Sequence, residues 1–182
     1  MEAARAFERE RYRDVAKMLR PLAEEAPSAA SVRELYGLTL YRLGRWTDAV
    51  RELEAFRKLT GSVEQHPVLA DSHRALRHWK SVEKLWSELR EASPSAGLVT
   101  EGRIVAAGAR ADQGDVAGAI RLLEGRASGS QRRPDWHHLR LWYALGDLYE
   151  RAGDVPKARE LFSRVAKAQA DFADVAERLQ AL

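Results

Sequence analysis

The sequence has 182 residues, of which 45% are hydrophobic and 31% are charged, and its formal net charge is +3. It contains no Cys, which excludes disulfides, thiolate metal sites and cysteine nucleophiles and fits an intracellular protein. No apolar run is long enough to span a membrane, and the N-terminus is charged where a signal peptide needs an apolar stretch. We therefore expect a soluble, cytoplasmic protein with no membrane role.

The first residues of the chain predict two helices with a turn near Glu10–Arg13. Their apolar side chains recur at helical spacing, but the first helix is short. The unit of residues 1–29 is therefore expected to be incomplete, either because the chain begins within it or because upstream sequence has been removed. An incomplete unit would expose apolar side chains such as Phe7 and Leu19, so a homodimer or a homo-oligomeric scaffold is one open alternative.

Residues 30–62 predict a more regular helix pair. Ser31 and Glu34 have the spacing of a capping box, in which a hydroxyl and a carboxylate satisfy free backbone N–H groups at a helix start. Gly44 predicts the turn, because glycine readily adopts the left-handed conformation that ends a helix. Small and apolar residues follow at helical spacing on both sides of the turn: Tyr36, Gly37, Leu40, Trp46, Ala49, Val50, Leu53 and Phe56. The segment therefore predicts an antiparallel helical hairpin.

Two less regular helix pairs follow, over residues 63–99 and 100–138. In the first of them Arg77 stands where the turn glycine would be. In the second, Gly114 predicts the turn, and an insertion of loop composition follows at residues 128–134. An insertion in a loop would leave the packing of the helices intact.

The last pair, residues 139–172, is the most regular. Its turn is predicted at Gly153, and Gly146 and Ala158 are the small residues expected where the two helices cross. The segment 173–182 has apolar residues on one side and charged residues on the other. It therefore predicts a short end helix that covers the last pair.

This last pair resembles the tetratricopeptide repeat (TPR), whose pattern is W-x2-L-G-x2-Y followed by A-x3-F on a period of about 34 residues. Six residues match it: Trp142, Leu145, Gly146, Tyr149, Ala158 and Phe162. The resemblance implies an all-α fold, with helix pairs stacked into a right-handed α-solenoid over a single domain of residues 1–182. It also implies non-catalytic adaptor or scaffold work, as in the small bacterial TPR proteins that the whole chain resembles.

In that family the first helix of each pair lines a concave groove, where a peptide or helix of a partner protein binds. The corresponding positions of this chain form what we name the candidate face: Glu34, Leu38, Tyr41, Arg42, Asp71, Arg74, Ile104, Asp112, Tyr143, Asp147, Glu150 and Arg151. Tyr and Arg anchor interfaces most often, which makes Tyr41, Arg74, Tyr143 and Arg151 the strongest candidates. One branch of the family clamps the C-terminal carboxylate of chaperones with Lys and Asn on this face. The sequence contains no Asn, which argues against that ligand.

Nucleic acid, in particular RNA, is an alternative partner. Arginines cluster around the predicted insertion, where they could contact phosphates: Arg121, Arg126, Arg132, Arg133 and Arg140. Trp136 lies among them and could stack on a base. Glu124 and Asp135 dilute this charge, so a protein partner remains the main expectation.

Neither a cofactor nor a metal is expected. The histidines lack the i, i+4 spacing with a carboxylate that defines the zinc-hydrolase helix, and the His137-His138 pair stands at a predicted helix start. The sequence has no phosphate loop, nucleophile elbow or dinucleotide fingerprint. An enzyme is therefore not expected.

Overall fold

The structure is a computed structural model that describes residues 2–127 and 134–182. These residues form eleven helices and no strand, so the predicted all-α class is confirmed. The first ten helices follow one another as antiparallel pairs, and the last stands alone. The helices are α1 (Glu2–Glu8), α2 (Tyr12–Glu25), α3 (Ala30–Arg42), α4 (Trp46–Thr60), α5 (His66–Ala75), α6 (Trp79–Ala92), α7 (Ala96–Asp112), α8 (Val116–Ala127), α9 (Trp136–Arg151), α10 (Val155–Ala168) and α11 (Val175–Ala181).

A left-handed residue closes the turn of every pair. These residues, with their φ angles, are Glu10 (57°), Gly44 (71°), Arg77 (59°), Gly114 (91°) and Gly153 (79°). In the last two turns the following aspartate caps the next helix: the Asp115 carboxylate accepts from the N–H of Gly118 at 2.8 Å, and that of Asp154 accepts from the N–H of Lys157 at 3.2 Å. The turns therefore reverse the chain and start the second helix within a few residues.

Glycines allow the two helices of a pair to approach closely. A Cβ atom on Gly146 would lie 2.9 Å from Cε1 of Phe162, and one on Gly37 would lie 2.7 Å from Cδ2 of Leu53. The sequence predicted Ala158 as the neighbour of Gly146. Ala158 is fully buried, but the atoms nearest to Gly146 belong to the Phe162 ring. The glycine therefore makes room for an aromatic ring as well as for a helix backbone.

The helices group into two compact units, and a single repeat domain over residues 1–182 stays a prediction. One unit ends at Ala92, and its core residues from α1 to α4 are Ala6, Val15, Leu19, Ala23, Tyr36, Leu40 and Ala49. Leu19 is only 3% exposed, so the expectation that it forms an exposed apolar edge is wrong. Its side chain is buried because α2 packs against both α1 and α3.

The other unit comprises Ser93–Leu182 and has a continuous core from α7 to α11. Its fully buried residues include Leu123, Phe162 and Val175. Because Val175 belongs to α11, the short C-terminal helix is part of this core.

Two helix starts differ from the prediction. Helix α3 begins at Ala30, one residue before Ser31, so the predicted capping box is wrong; the Glu34 carboxylate instead accepts from Nε2 of Gln65 at 2.9 Å. Helix α7 begins at Ala96, within the range 63–99 assigned to the preceding pair. There the hydroxyl of Ser95 caps the helix by accepting from the N–H of Leu98 at 3.2 Å.

Among the helices that the structure describes, none combines the length and the hydrophobicity that a membrane crossing requires. Most of the predicted insertion, residues 128–133, lies outside the described residues.

Candidate functional site

In the unit that ends at Ala92, hydrogen bonds join the candidate face of α3 to that of α5. The Tyr41 hydroxyl donates to Oδ2 of Asp71 at 2.7 Å, and Arg74 pairs with Oδ1 of the same carboxylate at 3.3 Å. The bond between Gln65 and Glu34 makes a second link between the two helices. Each of these candidate side chains is partly buried and bonded to a neighbour, which restricts the rotamers it can adopt.

Arg42 extends this face toward the first pair. Its guanidinium lies 3.4 Å from Oε1 of Glu10 and 5.0 Å from the centre of the Tyr12 ring. Half of its side chain is exposed, and Leu38 beside it on α3 is partly buried. These two residues therefore offer one cationic and one apolar contact to a partner.

In the unit Ser93–Leu182, ion pairs join α7 to α9. Arg140 forms two hydrogen bonds to Glu101, at 3.1 and 2.7 Å, and Arg151 lies 3.7 Å from Asp112. Ile104 is partly buried and packs against the core between these two ion pairs. Of these residues Ile104, Asp112 and Arg151 belong to the candidate face, which therefore offers an apolar side chain beside an ion pair here.

The end helix α11 and the residue before it make further polar contacts with α9. Arg178 pairs with Asp147 at 2.8 Å and with Glu150 at 2.5 Å, and the Tyr143 hydroxyl donates to the carboxylate of Asp174. Burial opposes the charge of Arg178, but the bonds to the two α9 carboxylates outweigh it and raise the pKa of Arg178. Three of the four candidate residues of α9, namely Tyr143, Asp147 and Glu150, therefore contact Asp174 or Arg178 at the C-terminal end helix, whereas Arg151 pairs with α7.

Sequence reasoning missed the partners of these candidate residues: Gln65, Glu101, Asp174 and Arg178. Each lies about one repeat along the chain from the residue it contacts, which is the signal that could have found it. A search for polar residues separated by roughly one period would pair Glu34 with Gln65 and Asp147 with Arg178.

The predicted nucleic-acid patch is only partly brought together. Arg140 bonds to Glu101, and its guanidinium lies 5.7 Å from the ring of Trp136, which is 58% exposed. Arg121 and Arg126 are exposed on α8. Arg132 and Arg133 lie outside the described residues.

Histidines of the described part of the chain make three local groups: His66 with Glu88, His73 with His78, and His137 and His138 with Asp135. Nε2 of the buried His66 lies 3.1 Å from Glu88. Burial lowers the pKa of His66, and the smaller, opposing effect of the hydrogen bond to Glu88 does not reverse this shift. In the part of the chain that the structure describes, one group of three side chains brings possible metal ligands within 4.8 Å of one another: Asp135, His137 and His138. This group surrounds the start of α9, where the helix dipole disfavours a cation.

Solved structures with this fold are TPR proteins of low sequence identity. TTC0263, a thermophilic TPR protein of Thermus thermophilus, is 15% identical with a TM-score of 0.72, covering 98% of this chain and 94% of its own. MamA is 16% identical with a TM-score of 0.64, covering 93% and 95%. YrrB, described as a TPR protein with an unusual peptide-binding site, is 16% identical with a TM-score of 0.57, covering 99% and 89%. These likenesses show the TPR solenoid fold.

Among curated protein sequences, none matches this chain. Two family models described as tetratricopeptide repeat do match it, one over residues 1–61 and the other over residues 110–182. Members of this family are in general protein–protein interaction modules and are typically non-catalytic. Because the two matches together cover more than half of the sequence, the chain belongs to the tetratricopeptide repeat family.

Proposed function

We propose that this protein is a non-catalytic adaptor that binds a peptide or helix of a partner protein on the candidate face. The observation that carries this proposal is the set of bonds that holds aromatic and charged side chains in place between successive first helices, such as Tyr41 to Asp71 and Arg151 to Asp112. Side chains that are already ordered lose less entropy when a partner binds. YrrB supports the proposal in one respect, because its description indicates that a protein of this fold can carry a peptide site.

Arg42 and Arg151 are the candidate side chains best placed to contact a partner. The Arg42 side chain is 50% exposed and that of Arg151 is 40% exposed. Their distances to Glu10 and Asp112 are 3.4 and 3.7 Å, at the long end for an ion pair. Each guanidinium can therefore turn toward a carboxylate or carbonyl of the partner at little cost.

The test compares two charge reversals on the same hairpin. Arg151→Glu changes the candidate face on α9, and Arg159→Glu changes an exposed arginine on α10 by the same charge. Each full-length variant serves as bait in native lysate of the source organism, beside the wild-type chain, and the captured proteins are identified by mass spectrometry. We expect a set of proteins that is retained by wild type and Arg159→Glu and lost from Arg151→Glu.

Circular dichroism of the three baits controls for folding. The ion pair of Arg151 is exposed, so its loss should cost less than about 1 kcal/mol of stability. Tyr143→Ala is a poorer choice, because Tyr143 contacts Phe162, Phe172 and Asp174 and its removal would disturb α11. Equal capture by both arginine variants would contradict the proposal.

A further inference from the structure

A cavity of about 510 Å³ lies at the start of the unit Ser93–Leu182. It is formed by the beginning of α7, the last turn of α8 and the beginning of α9. Its lining includes Ser95, Ala96, Arg103, Arg126, His137 and His138. None of these belongs to the candidate face, so an inference about this cavity does not rest on the proposed function. The volume lies within the usual range of small-molecule sites.

The chemistry of the lining is cationic and rich in hydrogen-bond donors. Arg103 and Arg126 contribute guanidinium groups, and the wall contains two histidines but no Asp or Glu among the described residues. Arg103 is held in place by a bond from Nη1 to the carbonyl oxygen of Leu122 at 3.4 Å. The nearby carboxylate of Glu101 is not in the wall and accepts from Arg140. The carboxylate of Asp135 is also outside the wall, but it lies within 4.8 Å of ring nitrogens of the two histidines and caps the start of α9. An anion against the wall itself would therefore meet two guanidinium groups.

Two helix starts border the cavity. Ser95 and Ala96 lie at the start of α7, and His137 and His138 lie in the first turn of α9. Backbone N–H groups in a first turn lack partners within the helix, and the dipole places partial positive charge there. The hydroxyl of Ser95 and the carboxylate of Asp135 already accept from the N–H groups of Leu98 and His138. Because the cap of α7 is uncharged, the start of α7 adds to the preference for an anion, whereas the charge of Asp135 offsets the dipole of α9.

The hydrogen bonding of His138 decides between an anion and a metal. The backbone N–H of Asp135 donates to Nδ1 of His138 at 3.2 Å, so Nδ1 is unprotonated and the neutral ring carries its proton on Nε2. A metal on Nε2 would require the opposite tautomer, and a metal on Nδ1 would displace the Asp135 N–H. In this tautomer Nε2 is a hydrogen-bond donor, which suits an anion.

We infer that this cavity binds a phosphate monoester. A monoester carries up to two charges on one group, and the two arginines, the two histidines and the start of α7 line one cavity. A nucleic-acid backbone instead carries one charge per phosphate along an extended strip. The convergence of donors on a single cavity therefore favours the compact dianion over the polymer. The ester could belong to a free metabolite or to a phosphorylated side chain, since the recognised group is the same.

The test titrates O-phosphoserine into the isotope-labelled full chain and follows backbone amide signals by NMR, with serine as the unphosphorylated control. We expect saturable shifts of Ala96, His137 and His138 with O-phosphoserine and none with serine. Arg126→Gln should weaken binding about tenfold or more, because a charge-assisted bond to phosphate is lost. Arg121→Gln is the matched control, since Arg121 is exposed on the same helix but does not line the cavity, and it should leave the affinity unchanged.

Three results would overturn the inference. Equal weakening by Arg121→Gln and Arg126→Gln would indicate diffuse electrostatic attraction. Tighter binding of a ten-residue oligothymidylate than of O-phosphoserine, at the same salt concentration, would assign the arginines to nucleic acid. Zn²⁺ shifting the side-chain nitrogen signals of His137 and His138 while O-phosphoserine shifts nothing would assign the cluster to a metal.

A further comparison distinguishes the two sources of the ester. Tighter binding of the peptide Gly-Gly-phosphoserine-Gly-Gly than of free O-phosphoserine would support the site and assign the ester to a protein partner. The reverse order would also support the site and would assign the ester to a metabolite.

Discussion

At the scale of single residues, the same left-handed turn conformation is adopted by glycine in some turns and by residues with a Cβ atom in others. Gly153 adopts its φ of 79° without strain, whereas Arg77 holds a φ of 59° with a Cβ atom in place. For an L-residue the left-handed region costs roughly 1–2 kcal/mol. The turn at Arg77 persists because its N–H bonds to the carbonyl oxygen of Arg74 and the N–H of His78 bonds to that of His73, both at 2.9 Å.

This comparison predicts opposite effects of two substitutions. Arg77→Gly should raise the free energy of unfolding by about 0.5–1 kcal/mol, because relief of the left-handed strain exceeds the entropy that glycine adds to the unfolded chain. Gly153→Ala should lower it by about 1 kcal/mol. A Cβ atom there has no neighbour within 4 Å, so the effect is conformational and not steric.

Urea denaturation of the two variants beside the wild type measures both effects. If Gly153→Ala is as stable as wild type, the turn can close without a left-handed residue. The same result would contradict the assignment of Arg77 as a strained position.

At the scale of the helix pair, the approach of α9 and α10 is set by Gly146 and the Phe162 ring. Phe162 is fully buried and cannot move away without opening the core. The equivalent contact between α3 and α4 uses Gly37 and Leu53. A small residue on the first helix and a large one on the second therefore fix the spacing of both hairpins.

Gly146→Leu should lower the free energy of unfolding by about 1 kcal/mol or more. Overpacking a buried site costs about 1–3 kcal/mol, which exceeds the roughly 0.8 kcal/mol by which leucine is preferred over glycine in a helix. Gly125→Leu on α8 is the matched control, because a Cβ atom at Gly125 has no neighbour within 4 Å. It should be as stable as wild type or slightly more stable. Thermal unfolding followed by circular dichroism compares them, and equal melting of Gly146→Leu and wild type would refute this packing.

The helices and their order could be predicted from the sequence, because local spacing of apolar and small residues reports which face of a helix is buried. Gly146, Gly153 and Tyr149 could be identified in this way. The bonds of Arg178 to Asp147 and Glu150 could not, since they depend on the register between helices that are far apart in sequence. The cavity between α7 and α9 was missed for the same reason, together with a helix start at Ser95 that the predicted boundary at residue 99 obscured.

At the scale of the whole molecule, the stability of the folded chain is coupled to pH through two buried histidines on α5. His66 and His73 are 3% and 8% exposed. Burial lowers the pKa of His66. The hydrogen bond to the Glu88 carboxylate opposes this effect, and the nearby charge of Arg57 adds to it. Burial and then the neighbouring charge of His78 lower the pKa of His73, although Glu54 opposes this. The folded state therefore binds these protons less readily than the unfolded chain.

The sign of the effect follows from this difference. An unfolded histidine titrates near pH 6.5, so below that pH the unfolded chain takes up protons that the folded chain does not. The free energy of unfolding should be constant above about pH 7.5 and should fall between pH 6.5 and 5, by at most about 1.4 kcal/mol per pH unit for each histidine. Aspartate and glutamate titrate mainly below this window.

Urea denaturation at intervals from pH 5 to pH 8 measures the slope of the unfolding free energy against pH. The double variant His66→Gln with His73→Gln should flatten this slope. A slope that persists in this double variant, or stability that rises as the pH falls, would show that the two buried histidines do not carry the pH dependence.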